Sequence, residues 1–270
     1  MKFGVADYGL NVWDGGCYDI RMRLEELKSI GFNGTERLEC GDAADALYRA
    51  ALYKRLGMDF ATCLSRAGIE QSNAFTAALG KEYVWLSPGE DLRTKVDMDV
   101  FIRRANRFVQ AAESAGVKAA LHNHLGLRIQ DQEELDRFMA EVPGAWLLLD
   151  IGHLHGAGGD IIGTIEKYIG RIAAVHFKDV FIKDAAIGLD QWPERLRFCE
   201  LGAGNCQVPW LEAARLLKKL GYNRWVFIEH DTHLREPLLD LKLSRERLRE
   251  MGLVYPCYCS RAELHAASAP

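Results

Sequence analysis

Residues 146–177, WLLLDIGHLHGAGGDIIGTIEKYIGRIAAVHF, decide the fold. Two short apolar runs, Trp146–Asp150 and Ala173–Phe177, bracket a longer segment, and each closes on polar chemistry, Asp150 and His176. Strand, crossover, strand is the unit this spacing predicts. It recurs in both directions. Toward the N-terminus the strand candidates are Ala119–His122, Tyr83–Ser87, Asp59–Leu64, Gly34–Leu38 and Lys2–Ala6; toward the C-terminus, Trp225–Glu229. Between them Ile20–Ile30, Val100–Ala115, Glu133–Val142 and Trp210–Leu220 repeat Leu and Ala at helical spacing. Gly31, Gly116 and Gly221 follow three of these stretches, where a left-handed cap stops a helix. Eight strands in steady alternation with helices predict an α/β fold, a single (β/α)8 TIM barrel over residues 1–254, with 255–270 as an appended tail.

Composition agrees with an ordinary globular enzyme: 270 residues, 49% hydrophobic and 27% charged. Thirty-four Lys and Arg against 38 Asp and Glu leave a formal charge of −4, which argues against a nucleic-acid partner. The seven cysteines are odd in number and scattered, as in reduced cytosolic chains, and Cys257-Tyr-Cys259 lacks the second pair a zinc site needs. No basic-then-apolar leader precedes Val5, and no apolar run approaches the roughly 18 residues of a membrane span. A cytoplasmic protein with no membrane contact is expected, and assembly into a homo-oligomer is compatible with the sequence.

Two connections are long, Asp7–Gly16 and Asp179–Val208, and both follow strands, on the face where barrel active sites form. They read as lids or substrate walls, or as neutral insertions. On four successive strands the closing polar residue is of metal-ligand type: His122, Asp150, His176 and Glu229. Any one of them serves equally well as a strand-end hydrogen bond to a loop. Four together are harder to explain that way, because two buried carboxylates without a cation repel each other and lose hydration. Two imidazoles with two carboxylates suit one divalent transition metal, manganese, cobalt, iron or zinc, better than magnesium or calcium.

The segments His122-Asn-His124, Asp150-Ile-Gly-His153, His176-Phe-Lys-Asp179, Glu200-Leu-Gly-Ala-Gly204 and Glu229-His-Asp231 resemble, in that order, signature segments of the xylose-isomerase-like sugar isomerase/epimerase superfamily. The resemblance runs from Lys2 to Gly252. Within it, His-Asn-His-Leu-Gly at 122–126 and Ser-Arg-Glu-Arg-Leu-Arg at 244–249 look most like inosose (2-keto-myo-inositol) dehydratases. The resemblance implies that His122, Asp150, His176 and Glu229 hold the metal, manganese first, and that His153 and Lys178 face the substrate. Epimerases of this superfamily usually carry glutamate where His122 stands, and moving a proton between faces needs two bases. Retaining only Glu229 favours one proton abstraction followed by loss of a β-hydroxyl.

The expected reaction is a metal-assisted β-elimination from a keto-polyol or keto-sugar, through an enolate that the ion stabilises as a Lewis acid. Glu229, Lys178 and His153 are the residues expected to move protons. Glu36, read as closing the second strand, is expected to meet substrate hydroxyls or a neighbouring strand. Trp13 is expected to stack on a sugar face or pack a lid. His124 and His230, beside ligands, are read as substrate-side or orienting groups, or as core histidines. Phe181 stands where inosose dehydratases commonly place a basic residue, and Gly156-Ala-Gly-Gly159 lacks the lysine and hydroxyl of a phosphate cradle. The alternatives are a ketose isomerase or epimerase, a lyase cleaving 3-keto-glycosides or C-glycosides, which Phe181 favours, and a catalytically silent binding subunit.

Overall fold

A computed structural model describes residues 1–6, 19–231 and 234–254. Ten strands follow in chain order: β1 Lys2–Val5, β2 Gly34–Cys40, β3 Asp59–Ser65, β4 Tyr83–Trp85, β5 Lys118–His122, β6 Trp146–Asp150, β7 Ile172–Phe177, β8 Asp179–Ile182, β9 Leu196–Cys199 and β10 Trp225–Ile228. Eight of them form one parallel sheet in the order β3-β2-β1-β10-β7-β6-β5-β4. The sheet curls into a nearly closed barrel, a (β/α)8 TIM barrel, with an unladdered seam between β3 and β4 among the described residues.

Side chains alternate between two cores along each strand. In β6, Leu147 and Leu149 pack outward under the helices while Leu148 packs inward with Ala120, Ala174 and Phe227. The same two-residue step then carries Asp150, His122, His176 and Glu229 inward, each two positions beyond an inner-core residue. Register does the rest: Asp150 pairs with His176, and the Glu229 N–H donates to the Phe177 carbonyl at 3.1 Å. Four inward polar groups thereby reach one level near the C-terminal rim. At the other end Trp225 stacks on Phe227, with centroids 5.1 Å apart, and fills the barrel floor.

Five helices of the outer layer begin on aspartate caps, Asp19, Asp42, Asp97, Asp131 and Asp160, whose carboxylates accept from first-turn amides. Gly31, Gly116 and Gly221 adopt φ of 103°, 80° and 74°, the left-handed turns expected of them. Among the described residues no helix is long and apolar enough to cross a membrane.

The long connection from Asp179 to Val208 has structure of its own: β8 and β9 pair antiparallel and carry a short helix, Trp192–Arg195, at the turn. Four-residue strands separated by polar and glycine-containing sequence leave too short an alternation to be read. Glu36 lies in the middle of β2 rather than at its end, because β2 continues to Cys40. Trp13, the Asp7–Gly16 connection and the tail 255–270 lie outside the described residues.

Candidate active site

The ligand-type atoms of His122, Asp150, His176 and Glu229 all lie within 4.8 Å of one another. His122 Nε2 is 3.3 Å from Asp150 Oδ2, His176 Nδ1 is 3.5 Å from the same oxygen, and His176 Nδ1 is 2.7 Å from Glu229 Oε2. Donors sharing one ion at bond lengths of about 2.1 Å stand about 3–4 Å apart, so the group has the right size. Two of these atoms, His176 Nδ1 and Glu229 Oε2, are fully buried, and a mixed nitrogen and oxygen set of this kind fits a divalent transition ion.

Glu36 explains why Nδ1 is the exposed lone pair of His176. Its Oε2 accepts from His176 Nε2 at 3.0 Å, and its Oε1 accepts from the Tyr83 hydroxyl at 3.0 Å and the Trp85 indole at 2.9 Å. A hydrogen is therefore held on Nε2, which leaves Nδ1, facing Asp150 and Glu229, as the nitrogen an ion would take. Three protein donors occupy Glu36, which places it beneath the ligand group as an orienting residue. Asn123 pins the neighbouring strand: its amide oxygen accepts from the Asp150 N–H and its Nδ2 donates to the Asp150 carbonyl, both at 2.9 Å.

Lys178 is fully buried, with Nζ 2.8 Å from Asp150 Oδ2, 2.7 Å from Glu229 Oε2 and 2.9 Å from Asp231 Oδ2, over the Phe198 ring at 4.7 Å. Its stem runs over Gly152, where a Cβ would come within 2.2 Å of Lys178 Cγ. His153, two positions on from Ile151 in the short helix Ile151–Gly156, has its N–H bonded to Asp150 Oδ1 at 2.8 Å. His124 and Asp231 gather with His153 in a second cluster beside the first. His230 turns away, with Nε2 3.2 Å from the Ser244 hydroxyl on the helix Pro237–Glu250. Asp231 is the group that sequence reasoning passed over; it lies two residues past Glu229, beyond the strand, where no periodicity marks it.

Charge in this cluster is mutually dependent. Burial works to raise the Asp150 carboxyl, but Lys178 and His153, with hydrogen bonds from His122 and His176, hold it well below the usual range. Burial likewise opposes ionised Glu229, and His176 and Lys178 outweigh it. For His176 burial disfavours the cation, yet Glu229 and Glu36 raise its pKa well above the ordinary value. Lys178 is raised in the same way, against burial, by Asp150, Asp231 and Glu229, while Asp231 falls to about 2 beside it. His124 and His153 are lowered, first by burial, and stay neutral. The cluster thus keeps its acids ionised and Lys178 charged.

The hairpin completes one wall. Phe198 lies 4.4 Å from His153, and Trp192 lies 6.0 Å from both His124 and His153, its indole seated on Gly126, where a Cβ would meet Nε1 at 3.0 Å. Phe181 pairs across the hairpin with Arg197, whose guanidinium covers its ring at 4.7 Å, whereas the neighbouring pair Val180 and Phe198 takes the site-facing side. Alternation puts Phe181 on the face opposite Phe198, which takes away its support for the glycoside-cleaving alternative.

A model of the family described as xylose isomerase-like TIM barrel matches residues 58–251. Curated relatives include inosose dehydratase of Glaesserella parasuis serovar 5, 33% identical over 160 residues that cover 54% of this chain and 53% of the relative. Inosose dehydratase of Geobacillus thermodenitrificans is 30% identical over 165 residues, covering 58% of this chain and 55% of the relative. The chain therefore spans about half the length of these curated relatives. Among solved structures, a probable 3-DHS dehydratase of Bacillus anthracis superposes with a TM-score of 0.69 at 13% identity, covering 92% of this chain and 99% of the other. D-psicose 3-epimerase of Clostridium cellulolyticum H10 gives 0.68 at 16% identity, covering 94% and 99%. These structures share the fold. A family match over most of the barrel, on a chain whose strand ends converge as described, has one reading: the chain belongs to the xylose isomerase-like TIM barrel family.

Proposed function

We propose that the chain is a divalent-metal-dependent dehydratase, a carbon–oxygen lyase acting on a keto-polyol or keto-sugar such as 2-keto-myo-inositol. The observation that carries this reading is a single buried cluster in which the ligand-type atoms of four side chains lie within 4.8 Å of one another, with Lys178 pressed against both of its carboxylates. His122, Asp150, His176 and Glu229 would hold the ion, manganese being the first candidate. When bound, it supplies Lewis-acid polarisation of the substrate carbonyl, which acidifies the adjacent C–H.

The chain's own groups then divide the proton work. Glu229, kept ionised by His176 and Lys178, takes the α-proton, and the C–H electron pair becomes the new double bond as the β-hydroxyl departs. Lys178, kept charged by three carboxylates, gives its proton to that departing oxygen, which leaves as water. Across the 2.7 Å contact from Glu229 to Lys178 the abstracted proton returns to the amine, and the pair is reset without a solvent proton. Asp231 holds Nζ in place at 2.9 Å. Epimerisation needs a second base on the far face of the substrate, and the imidazole of His122 stands where related epimerases usually carry glutamate.

Incubating the protein with manganese and 2-keto-myo-inositol tests the reading. A metal-dependent enone absorbance in the ultraviolet, lost in Lys178→Met, is the expected result. Solvent deuterium uptake into recovered ketone with no absorbance change would instead assign an epimerase.

A further inference from the structure

Glu200-Leu-Gly-Ala-Gly204 and Ser244-Arg-Glu-Arg-Leu-Arg249 take no part in the chemistry proposed above, yet the fold brings them together. Ser244, fully buried on the helix Pro237–Glu250, accepts the Leu201 N–H on its hydroxyl at 3.1 Å. Arg247, one turn on, lays its guanidinium over Gly202, where φ is 90° and a Cβ would fall 2.6 Å from Nε, so the position admits only glycine. Arg235 ties Glu200 to Asp240 of the same helix. The turn after β9 is thereby fastened to the last helix at Glu200, Leu201 and Gly202.

Two short paths lead from the Ser244 hydroxyl to the reactive groups. The first runs through His230, whose Nε2 lies 3.2 Å from the same oxygen, while the residues on either side of it, Glu229 and Asp231, reach Lys178 Nζ at 2.7 and 2.9 Å. Withdrawing either carboxylate from the barrel would pull on that outward tie. The second path runs through Asp179, next to Lys178. Its Oδ2 accepts the Gly202 N–H and its Oδ1 the Val180 N–H, both at 2.9 Å, and Gly204 packs so closely that a Cβ there would fall 2.1 Å from Oδ1. His230 and Asp179 are 2% and 4% exposed, so no water stands ready to replace a lost partner, and each tie holds its segment firmly.

We propose that Ser244 is a positioning residue for proton transfer: by holding His230 and the 200–204 turn on one oxygen, it sets the separation between Glu229 and Lys178. It stands outside the cluster and acts through these two paths. The proton transfer between Glu229 and Lys178 rests on the dehydratase reading; the fixed spacing does not.

Ser244→Ala and Ser244→Thr, made in the full chain, test the assignment. With manganese and 2-keto-myo-inositol, Ser244→Ala should lose about 10–100-fold in kcat with KM within about threefold of wild type, because proton transfer depends on the spacing and binding does not. Ser244→Thr, which keeps the hydroxyl, should recover most of that loss. Gly202→Ala, which breaks the second path through its φ and its contact with Arg247, should give the same split between kcat and KM. Combined with Ser244→Ala it should cost less than the product of the two losses, since both act on one contact. Urea melts establish that each variant is folded. Crystal structures of wild type and Ser244→Ala read the placement without turnover: the Glu229–Lys178 contact should open from 2.7 Å to beyond hydrogen-bonding reach, about 3.5 Å. An unchanged contact or an unchanged kcat in folded Ser244→Ala overturns the proposal, as does a loss confined to KM. A wild-type chain with no turnover sinks the dehydratase reading, and the crystal comparison alone then decides the placement.

Discussion

Replacing Glu36 with glutamine changes one atom's chemistry at a residue that is 1% exposed and reaches the ligand group through His176 Nε2. Glutamate offers acceptors on both sides: Oε2 to His176 Nε2–H, Oε1 to the Tyr83 hydroxyl and Trp85 indole. Glutamine has only one oxygen. If that oxygen stays with Tyr83 and Trp85, the amide N–H₂ faces His176 Nε2 and drives its hydrogen to Nδ1, the atom that must present a lone pair. If the oxygen turns to His176, the amide opposes the Trp85 N–H, and a buried donor is left unmet. Either way His176 becomes a poorer ligand. Partners of this type typically contribute 10–100-fold to metal affinity, about 1.4–2.7 kcal/mol. Competition with a fluorescent chelator on wild-type and Glu36→Gln protein measures the loss directly, and a urea melt of both metal-free proteins checks that the barrel is intact. Affinity equal within about twofold, in a variant of unchanged fold, would refute the orienting role of Glu36.

Three other perturbations give separable outcomes. Lys178→Met removes the only ammonium facing Asp150, Glu229 and Asp231 among the described residues, and should cost the metal-free protein about 3–5 kcal/mol in urea, with part regained on adding manganese; an unchanged midpoint would contradict the charge balance described. Gly152→Ala drives a methyl into the Lys178 stem and should cost about 1–3 kcal/mol while displacing Nζ, so dehydration should fall more steeply than stability; full activity would show that Lys178 has room to move. His176 is raised well above the ordinary imidazole pKa, against burial, by Glu229 and Glu36, so a proton competes with an incoming ion for its ring. Metal affinity should therefore rise with pH, about tenfold per unit for one proton, and calorimetry in buffers of different ionisation enthalpy should register its release; pH-independent affinity would exclude His176 as a ligand.

The barrel was legible because its signal is redundant. Most barrel strands are apolar runs bounded by glycine or polar residues, and in Trp146–Asp150 or Ala173–Phe177 the polar residue near the end marks both the end of the strand and its inward face. The ligand-type residues were legible for the same reason: His122, Asp150, His176 and Glu229 fall on the inward phase of strands whose other inward residues are small or apolar. What the sequence concealed depends on contacts between segments far apart in the chain. Glu36 is one polar residue inside a strand, and only its meeting with His176, Tyr83 and Trp85 gives it a role. Asp231 lies past the end of β10, and its importance comes from Lys178 just past the end of the neighbouring strand β7. The β8–β9 hairpin is too short for its alternation to show, so the wall of Trp192 and Phe198 escaped notice, as did the face on which Phe181 lies.

Crystals soaked in manganese and measured at its absorption edge bear most directly on the proposed chemistry. One anomalous peak per chain, bonded to His122, Asp150, His176 and Glu229, is the predicted result. A peak elsewhere, or none while those four side chains keep their present positions, would contradict the assignment of a metal-dependent enzyme.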